Sequence, residues 1–122
     1  PVLTWDFYAQ NLQSIYKSDQ DMITLMRLRS LNSWNIDTEV LDERLKVNKN
    51  VVVVTDTNLN IVFATKNIWE MNQYHPYEIL GKTPKVNYRK DGSTYNCWIQ
   101  GQPVFNQKGK VVNFIAFEKE VA

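Results

Sequence analysis

The stretch that decides the fold covers residues 50 to 64 and reads NVVVVTDTNLNIVFA. Four consecutive valines, Val51 to Val54, are followed by a segment rich in Thr, Asp and Asn and then by a second apolar run, Ile61 to Ala64. Valine and isoleucine favour strands because their branched side chains pack well on a pleated surface, whereas Asp and Asn favour turns. The stretch therefore predicts a β-hairpin.

Two further turn signals follow this hairpin. Lys90-Asp91-Gly92-Ser93 and Asn106-Gln107-Lys108-Gly109 each place a glycine where a tight turn needs a positive φ angle. These turns separate three strand candidates, which are Val86 to Arg89, Thr94 to Val104 and Lys110 to Val121.

Short helices are expected between the first hairpin and these strands. Thr65 to Met71 is one candidate. In Tyr74 to Gly81, Pro76 suits the first helical turn and Gly81 suits a C-terminal cap. Such short helices need tertiary packing to be stable. The order of elements, two strands, short helices and three more strands, predicts an α+β fold with an antiparallel sheet.

Residues 1 to 49 follow a different pattern and predict a helical extension to a domain that covers residues 50 to 122. They contain no glycine, and Pro1 is their only proline. A short helix is expected after Asp37 or Thr38, with Val40, Leu41 and Leu45 as its buried side. Upstream of it, apolar residues at helical spacing predict two amphipathic helices or one interrupted helix: Phe7, Leu12, Ile15 and Tyr16, then Met22, Ile23, Met26 and Leu31.

Bulk properties limit the partners. The chain has 122 residues, enough for one domain, and 14 basic residues against 13 acidic ones. A net charge near zero gives no general attraction to nucleic acid, and we expect none as a partner. Apolar runs are far shorter than the roughly 20 residues of a membrane span. Cys97, the single cysteine, cannot form an internal disulfide and favours a reducing compartment, so we expect a cytoplasmic protein.

Five segments, in this order, resemble a PAS domain over residues 50 to 122. The resemblance implies a five-stranded antiparallel sheet that encloses a small pocket beneath short helices, and a sensory or regulatory function in signal transduction. The matching segments are Val53 to Ala64, Tyr77 to Lys82, Asn87 to Gly92, Pro103 to Asn106 and Gly109 to Ile115.

Within that family, Asn87 to Gly92 is most similar to the flavin-binding LOV branch, in which an amide at the position of Asn87 meets the flavin ring edge. Three other positions depart: Cys97 replaces a second Asn, Glu118 replaces a Gln, and Pro84 replaces the photoreactive Cys. Without that thiol no cysteinyl adduct can form. We therefore expect no cofactor, with a flavin-binding photosensor or redox sensor that forms no adduct as the alternative.

The connection between Lys85 and Val86 is shorter than the resemblance implies. The family normally carries a short and a longer helix at this point, and the longer one forms a wall of the pocket. We expect either an abbreviated domain or an additional segment between these two residues, and we favour the additional segment because its loss would expose core surface.

Strand alternation selects the pocket side. An inward-facing Glu118 would have to meet a ligand or a buried donor, whereas at an open strand end it would stay in water, and the sequence leaves both readings open. Large side chains could also fill the pocket themselves, which would make the domain a ligand-free scaffold. The pocket candidates are Asn87, Cys97, Ile99, Gly101, Phe114, Ala116, Glu118, Phe63 and Trp69.

Residues on the opposite face of the sheet need a cover. The N-terminal helices could supply it within one chain or pair between two chains, and we expect a homodimer. The interface candidates are Phe7, Leu12, Ile15, Met22, Met26, Trp98, Ile115 and Phe117.

No enzyme is expected. His75 is the only histidine, so a catalytic dyad or a His-based metal site lacks partners. The sequence thus predicts a module that binds a small molecule or a protein partner and transmits the signal through its flanking helices, with the flavin sensor and the dimerisation scaffold as alternatives.

Overall fold

The structure is a computed structural model that describes residues 20–122. The described part of the first helix, α1, covers residues 20–31, and α2 is Thr38–Asp42, continued by a π-helical turn, Glu43–Val47. The remaining elements are β1 (Val51–Thr55), β2 (Ile61–Ala64), α3 (Ile68–Asn72), α4 (Pro76–Ile79), β3 (Asn96–Phe105) and β4 (Val111–Val121). No helix among these residues is both long and apolar enough to cross a membrane.

The four strands form one antiparallel sheet in the order β2-β1-β4-β3. The predicted first hairpin is confirmed as β1 and β2, and its turn is closed by Asp56, whose carboxylate accepts the amide hydrogens of Asn58 and Asn60 at 2.9 Å. Pro76 opens α4, and Gly81 follows that helix with a φ angle of 78°. Asp37 is the N-cap of α2, as predicted, although its side chain makes no capping bond.

The prediction of a fifth strand at Val86 to Arg89 is wrong for the described structure. An isolated bridge between Tyr88 and Thr94 is all that remains of it. The cause is the segment 82–87, which we call the strap. At one end the Lys82 carbonyl accepts from the Ile61 amide at 2.9 Å, and at the other end the Asn87 carbonyl accepts from the Tyr95 amide at 3.1 Å.

These two ties hold the strap across the sheet and not along β3. They lie on β2 and next to β3, which are the two outer strands of the sheet. Lys85 and Val86 are joined directly within it, and an additional segment at this point stays a prediction.

The sheet separates two hydrophobic clusters, because successive residues of a strand point to opposite faces. On one face α1 and α2 cover a helix-side core, and on the other face α3 and α4 cover a cavity-side core. The buried members of the helix-side core are Leu25, Trp34, Leu41, Val52, Val54, Phe63, Val104, Ile115 and Phe117. Those of the cavity-side core are Val51, Val53, Ile61, Ala64, Ile68, Met71, Ile79 and Tyr95.

A candidate ligand cavity on the sheet

The cavity-side core surrounds a cavity of about 100 Å³. Its floor is β1 and β4, its wall is α3 and α4, and the strap passes over it. Most lining side chains are apolar, and the polar ones stand at one end or on the strap. The lining residues are Val53, Ile61, Ile68, Asn72, Tyr74, Ile79, Lys82, Thr83, Pro84, Lys85, Val86 and Glu118.

Local hydrogen bonds fix the helical wall. Gln73 ends α3 in a left-handed conformation with a φ angle of 69°, and the Asn72 side chain accepts from the Tyr74 amide at 3.0 Å. The Glu78 carboxylate accepts the His75 amide hydrogen at 2.8 Å and also pairs with Lys90. These contacts set the turn between the two helices and hence the position of Asn72 at the cavity.

Glu118 is buried on the cavity face, with 7% of its surface exposed. The reading that places it in water at an open strand end is therefore wrong. Its strand neighbours are apolar, since Val51 and Ile99 flank it on β1 and β3. Among the described residues, its one hydrogen bond is a weak one from the Cys97 thiol, whose Sγ lies 3.7 Å from Oε1. Burial raises the pKa of the Glu118 carboxyl, and the thiol hydrogen bond only partly opposes this.

Cys97 and Tyr95 lie near Glu118, and Asn72 lines the same cavity. Tyr95 is buried, and its hydroxyl has no hydrogen-bond partner among residues 20–122. Burial raises the pKa of Tyr95 to about 12, with Cys97 and Glu118 adding to the shift and Asn72 opposing it. Burial also raises the pKa of the Cys97 thiol to about 11, and the negative charge of Glu118 adds to that shift. We call Asn72, Tyr95, Cys97 and Glu118 the polar cluster.

An open groove of about 320 Å³ adjoins the cavity over β1, β3 and β4. The two spaces share four lining residues, Val53, Pro84, Val86 and Glu118. The walls of the groove are almost entirely apolar. A molecule held in the cavity could therefore extend along the sheet without meeting a second charged site.

The structure brings five of the predicted pocket residues to this place. Glu118 lines both spaces, and the groove alone is lined by Ile99, Gly101, Phe114 and Ala116.

The other four pocket candidates lie elsewhere. Asn87 and Cys97 line a separate exposed depression, although the Cys97 thiol also reaches Glu118. Phe63 belongs to the helix-side core because it pairs with Val54 across the first hairpin and shares its face. Trp69 lies on the outer side of α3, 47% exposed, with its ring edge-on to the His75 ring at 5.6 Å between centres.

The predicted interface residues also lie at different places in the structure. Ile115 and Phe117 are buried in the helix-side core, so the helices cover them within one chain, and Met26 packs against the same core. Met22 lines an open groove on α1. Trp98 is partly exposed beside Arg44. Phe7, Leu12 and Ile15 lie outside the described residues.

Sequence reasoning missed Asn72 as a site residue. An asparagine at the end of a short helix is typical of a helix cap, and nothing local distinguishes one that faces a cavity. Its role depends on α3 packing over β1 and β4, which is a tertiary relationship. Among residues 20–122 no group of three or more His, Cys, Asp or Glu is placed to hold a metal ion.

The enclosed cavity alone, without the adjoining groove, is too small for a flavin. A volume of about 100 Å³ is well below the roughly 300–1,000 Å³ of sites for drug-sized ligands, and a three-ring flavin needs a site in that class. Asn87, the residue that the LOV resemblance assigns to the ring edge, faces the separate depression. Moreover, the strap runs through the space above the sheet.

No family model and no curated protein matches the chain. Solved structures do match. A light-oxygen-voltage domain studied with a flavin analogue is 22% identical with a TM-score of 0.59, covering 68% of this chain and 85% of that one. The dark structure of the LOV domain of the blue-light photoreceptor Aureochrome1 is 21% identical with a TM-score of 0.59, covering 72% and 86%.

A third match is the PAS domain of the fruit-fly ELK potassium channel. It is 16% identical with a TM-score of 0.56, and the alignment covers 71% of this chain and 98% of that one. Identities this low speak for the fold alone. Together with the sheet order and the helices over one face, they show that the chain has the fold of PAS domains and of their LOV branch.

Proposed function

We propose that the chain is a sensory PAS module that binds a small molecule in the cavity and passes the change through the sheet to α1 and α2. The observation that carries this proposal is the pair Phe117 and Glu118. These consecutive residues of β4 are both buried, but Glu118 faces the cavity and Phe117 faces the helix-side core. A shift of β4 on one face is therefore felt at the next residue on the other.

Arg44 supplies a contact on the helix side. Its guanidinium carbon lies 4.9 Å from the centre of the Phe117 ring and 5.9 Å from that of Trp98. The same guanidinium donates to the Gln100 side chain at 2.5 Å. Arg44 is part of the π-helical turn that follows α2, so the position of β4 and the position of this turn are linked by direct contacts. Such helical irregularities are common at functional hinges.

The mechanism is a population shift. A ligand that binds one arrangement of sheet and helices more tightly than another changes the balance between them. The small volume of the cavity makes this coupling direct, because a bound molecule must contact the floor and the strap at once. We also propose a cytoplasmic location, since the single cysteine, Cys97, cannot form a disulfide within the chain.

Hydrogen exchange tests the coupling without a known ligand. Ala116→Leu adds bulk in the groove opposite Gly101, where there is open space, and so imitates a bound molecule. We expect the amide exchange of residues 20–47 to change by about threefold or more, because opening free energies follow packing. Lys119→Ala, on the same strand but exposed, is the matched control and should leave these rates unchanged. A change confined to the sheet in Ala116→Leu would contradict the proposal.

Homodimerisation is a second candidate, and an open apolar groove on α1 favours it. The groove is lined by Met22, Ile23, Met26, Arg27, Ser30, Leu31 and Lys46, and Leu31 is 81% exposed. A second copy would cover this surface. Light scattering after size-exclusion chromatography of the chain and of Ile23→Glu, with Arg27→Glu as a control that changes charge without removing an apolar contact, separates this candidate. A dimer that Ile23→Glu alone dissociates would support it, and a monomer at all concentrations would remove it.

A further inference from the structure

The polar cluster is unusual because two of its members, Glu118 and Tyr95, are buried without adequate partners. Glu118, Asn72 and Tyr95 are each more than nine-tenths buried, with exposures of 7%, 5% and 8%. The Tyr95 hydroxyl has no hydrogen bond to any residue in the range 20–122. Buried polar groups in native proteins almost always have partners, so the poorly satisfied Glu118, which lines the cavity, indicates that something else completes it.

Glu118 has the largest deficit. A carboxylate offers about four lone-pair sites, and the single donor to the Glu118 carboxylate among residues 20–122 is a thiol that lies 3.7 Å away. That thiol has one hydrogen, and the carbonyl oxygen of Trp98 competes for it at 3.5 Å. Since both the cavity and the groove are lined by Glu118, the missing donors can approach it from this side.

The remaining lining decides the charge of the missing partner. Lys82 and Lys85 of the strap line the cavity, so a cationic molecule held there would be repelled by two ammonium groups. An anion would be repelled by Glu118 itself. A neutral molecule avoids both penalties, and the apolar floor and wall suit the hydrocarbon part of a ring.

The enclosed volume of the cavity limits the size of the ring that it can hold. About 100 Å³ corresponds to roughly three water molecules at ~30 Å³ each, or to one small ring. We propose that the cavity binds a neutral five- or six-membered ring that carries an N–H beside a carbonyl, as in a cyclic amide or cyclic urea. Its N–H donates to Glu118, and its carbonyl accepts from the side-chain amide of Asn72, which lines the same cavity. This inference rests on the proposed function, in that the cavity is taken as the ligand site.

Matched probes test the ligand class by NMR titration of the chain. The probes are 2-pyrrolidinone, cyclopentanone, which has the same ring without the N–H, and pyrrolidine, which is cationic at neutral pH. We expect 2-pyrrolidinone to shift the methyl signals of Val53 and Ile68, with cyclopentanone binding at least about tenfold more weakly, because a hydrogen bond to a buried carboxylate is lost. Equal binding of the two rings, or tighter binding of pyrrolidine, would overturn the proposal.

Variants locate the contact. Glu118→Gln keeps an acceptor oxygen and should bind 2-pyrrolidinone within about threefold of the unmodified chain, whereas Glu118→Leu should lose at least about tenfold. If Glu118→Leu does not fold, Asn72→Leu serves as the second variant, with the same expected loss. Undiminished binding in a folded variant would contradict the assignment.

A failure of this ligand proposal can be distinguished from a failure of the proposed function. Absence of any shift with all three probes in the folded chain would overturn this ligand class. The hydrogen-exchange comparison of Ala116→Leu with Lys119→Ala uses no added molecule, so the proposed coupling would still stand or fall on its own result.

Discussion

Trp34 donates its indole N–H to the side-chain oxygen of Asn113 at 2.8 Å, and Asn113 in turn donates to the Thr55 carbonyl at 3.0 Å. All three residues are buried. This chain of two bonds joins the segment after α1 to β4 and to the end of β1. These directional hydrogen bonds add to the apolar contacts that hold α1 and α2 against the sheet.

Removing Asn113 should therefore destabilise the fold strongly. Asn113→Leu leaves a buried indole N–H and a buried carbonyl unpaired, each at a cost of about 1–3 kcal/mol. We expect the free energy of unfolding to fall by about 2–4 kcal/mol in urea denaturation. Asn96→Leu, at an exposed asparagine of β3, is the control and should stay within about 0.5 kcal/mol. A small effect of Asn113→Leu would mean that water replaces both bonds.

Glu118 should make stability fall as pH rises. Its pKa is raised above the ordinary value of 4.5, so between that value and its folded pKa the native state binds more protons than the unfolded state. The stability that this group contributes is full below pH 4.5 and is lost as pH rises through the folded pKa. Comparing urea denaturation of the unmodified chain and Glu118→Gln across pH 4 to 8 isolates this group, because other carboxyls act equally in both.

The sign of that difference is the test. Asp56, Glu78 and Asp91 have lowered pKa values and lose stability towards acid, but they are present in both proteins. We expect Glu118→Gln to gain stability relative to the unmodified chain as pH increases. A constant difference across the range would show that Glu118 titrates normally.

Cys97 should react slowly with alkylating reagents. With a pKa of about 11, about one thiol in a thousand is ionised at pH 8, and the thiolate is the nucleophile. We expect alkylation by iodoacetamide, followed by mass spectrometry, to be roughly a hundredfold slower than in urea. Glu118→Gln should accelerate it by removing a nearby negative charge, whereas Asp42→Asn, at an exposed carboxyl of α2, should not. Equal rates in all three would contradict the contact.

Two glycines should respond differently to substitution by alanine. Gly92 has a φ angle of 87°, which costs an L-residue about 1–2 kcal/mol, so Gly92→Ala should destabilise the protein by about that amount. Gly101 is in the extended strand β3, and an added Cβ would meet no atom within 4 Å, so Gly101→Ala should be nearly neutral. Thermal unfolding of both variants checks this, and a similar loss in the two would indicate that Gly101 is needed for packing.

Local sequence patterns predicted much of the fold but only part of the candidate site. The hairpins at Val51 to Ala64 and at Gly109 could be predicted because turn chemistry and β-branched runs act over a few residues. Strand alternation correctly placed Ala116 and Glu118 on one face. Phe63 was assigned to the wrong face. The register of this hairpin depends on a bulge between Val54 and Thr55, which cannot be recognised from the residue types.

What escaped prediction depends on distant contacts. Trp34 and Asn113 are 79 residues apart, and no local pattern joins them. The strand expected at Val86 to Arg89 fails because its chain is held at Lys82 by Ile61, a residue on the far strand of the sheet. Asn72 escaped prediction because its cavity exists only after α3 has packed on the sheet.

The volume of the cavity depends on the number of residues in the strap between Lys82 and Asn87. Because both ends of the strap are hydrogen-bonded, deleting a residue from it would strain these two anchors. Lengthening is far easier, since each doubling of a loop adds only about 0.6 kcal/mol of closure entropy. Insertions between Lys85 and Val86 would raise the strap and enlarge the cavity. The same fold could then accept ligands of different sizes if only the length of this connection varied.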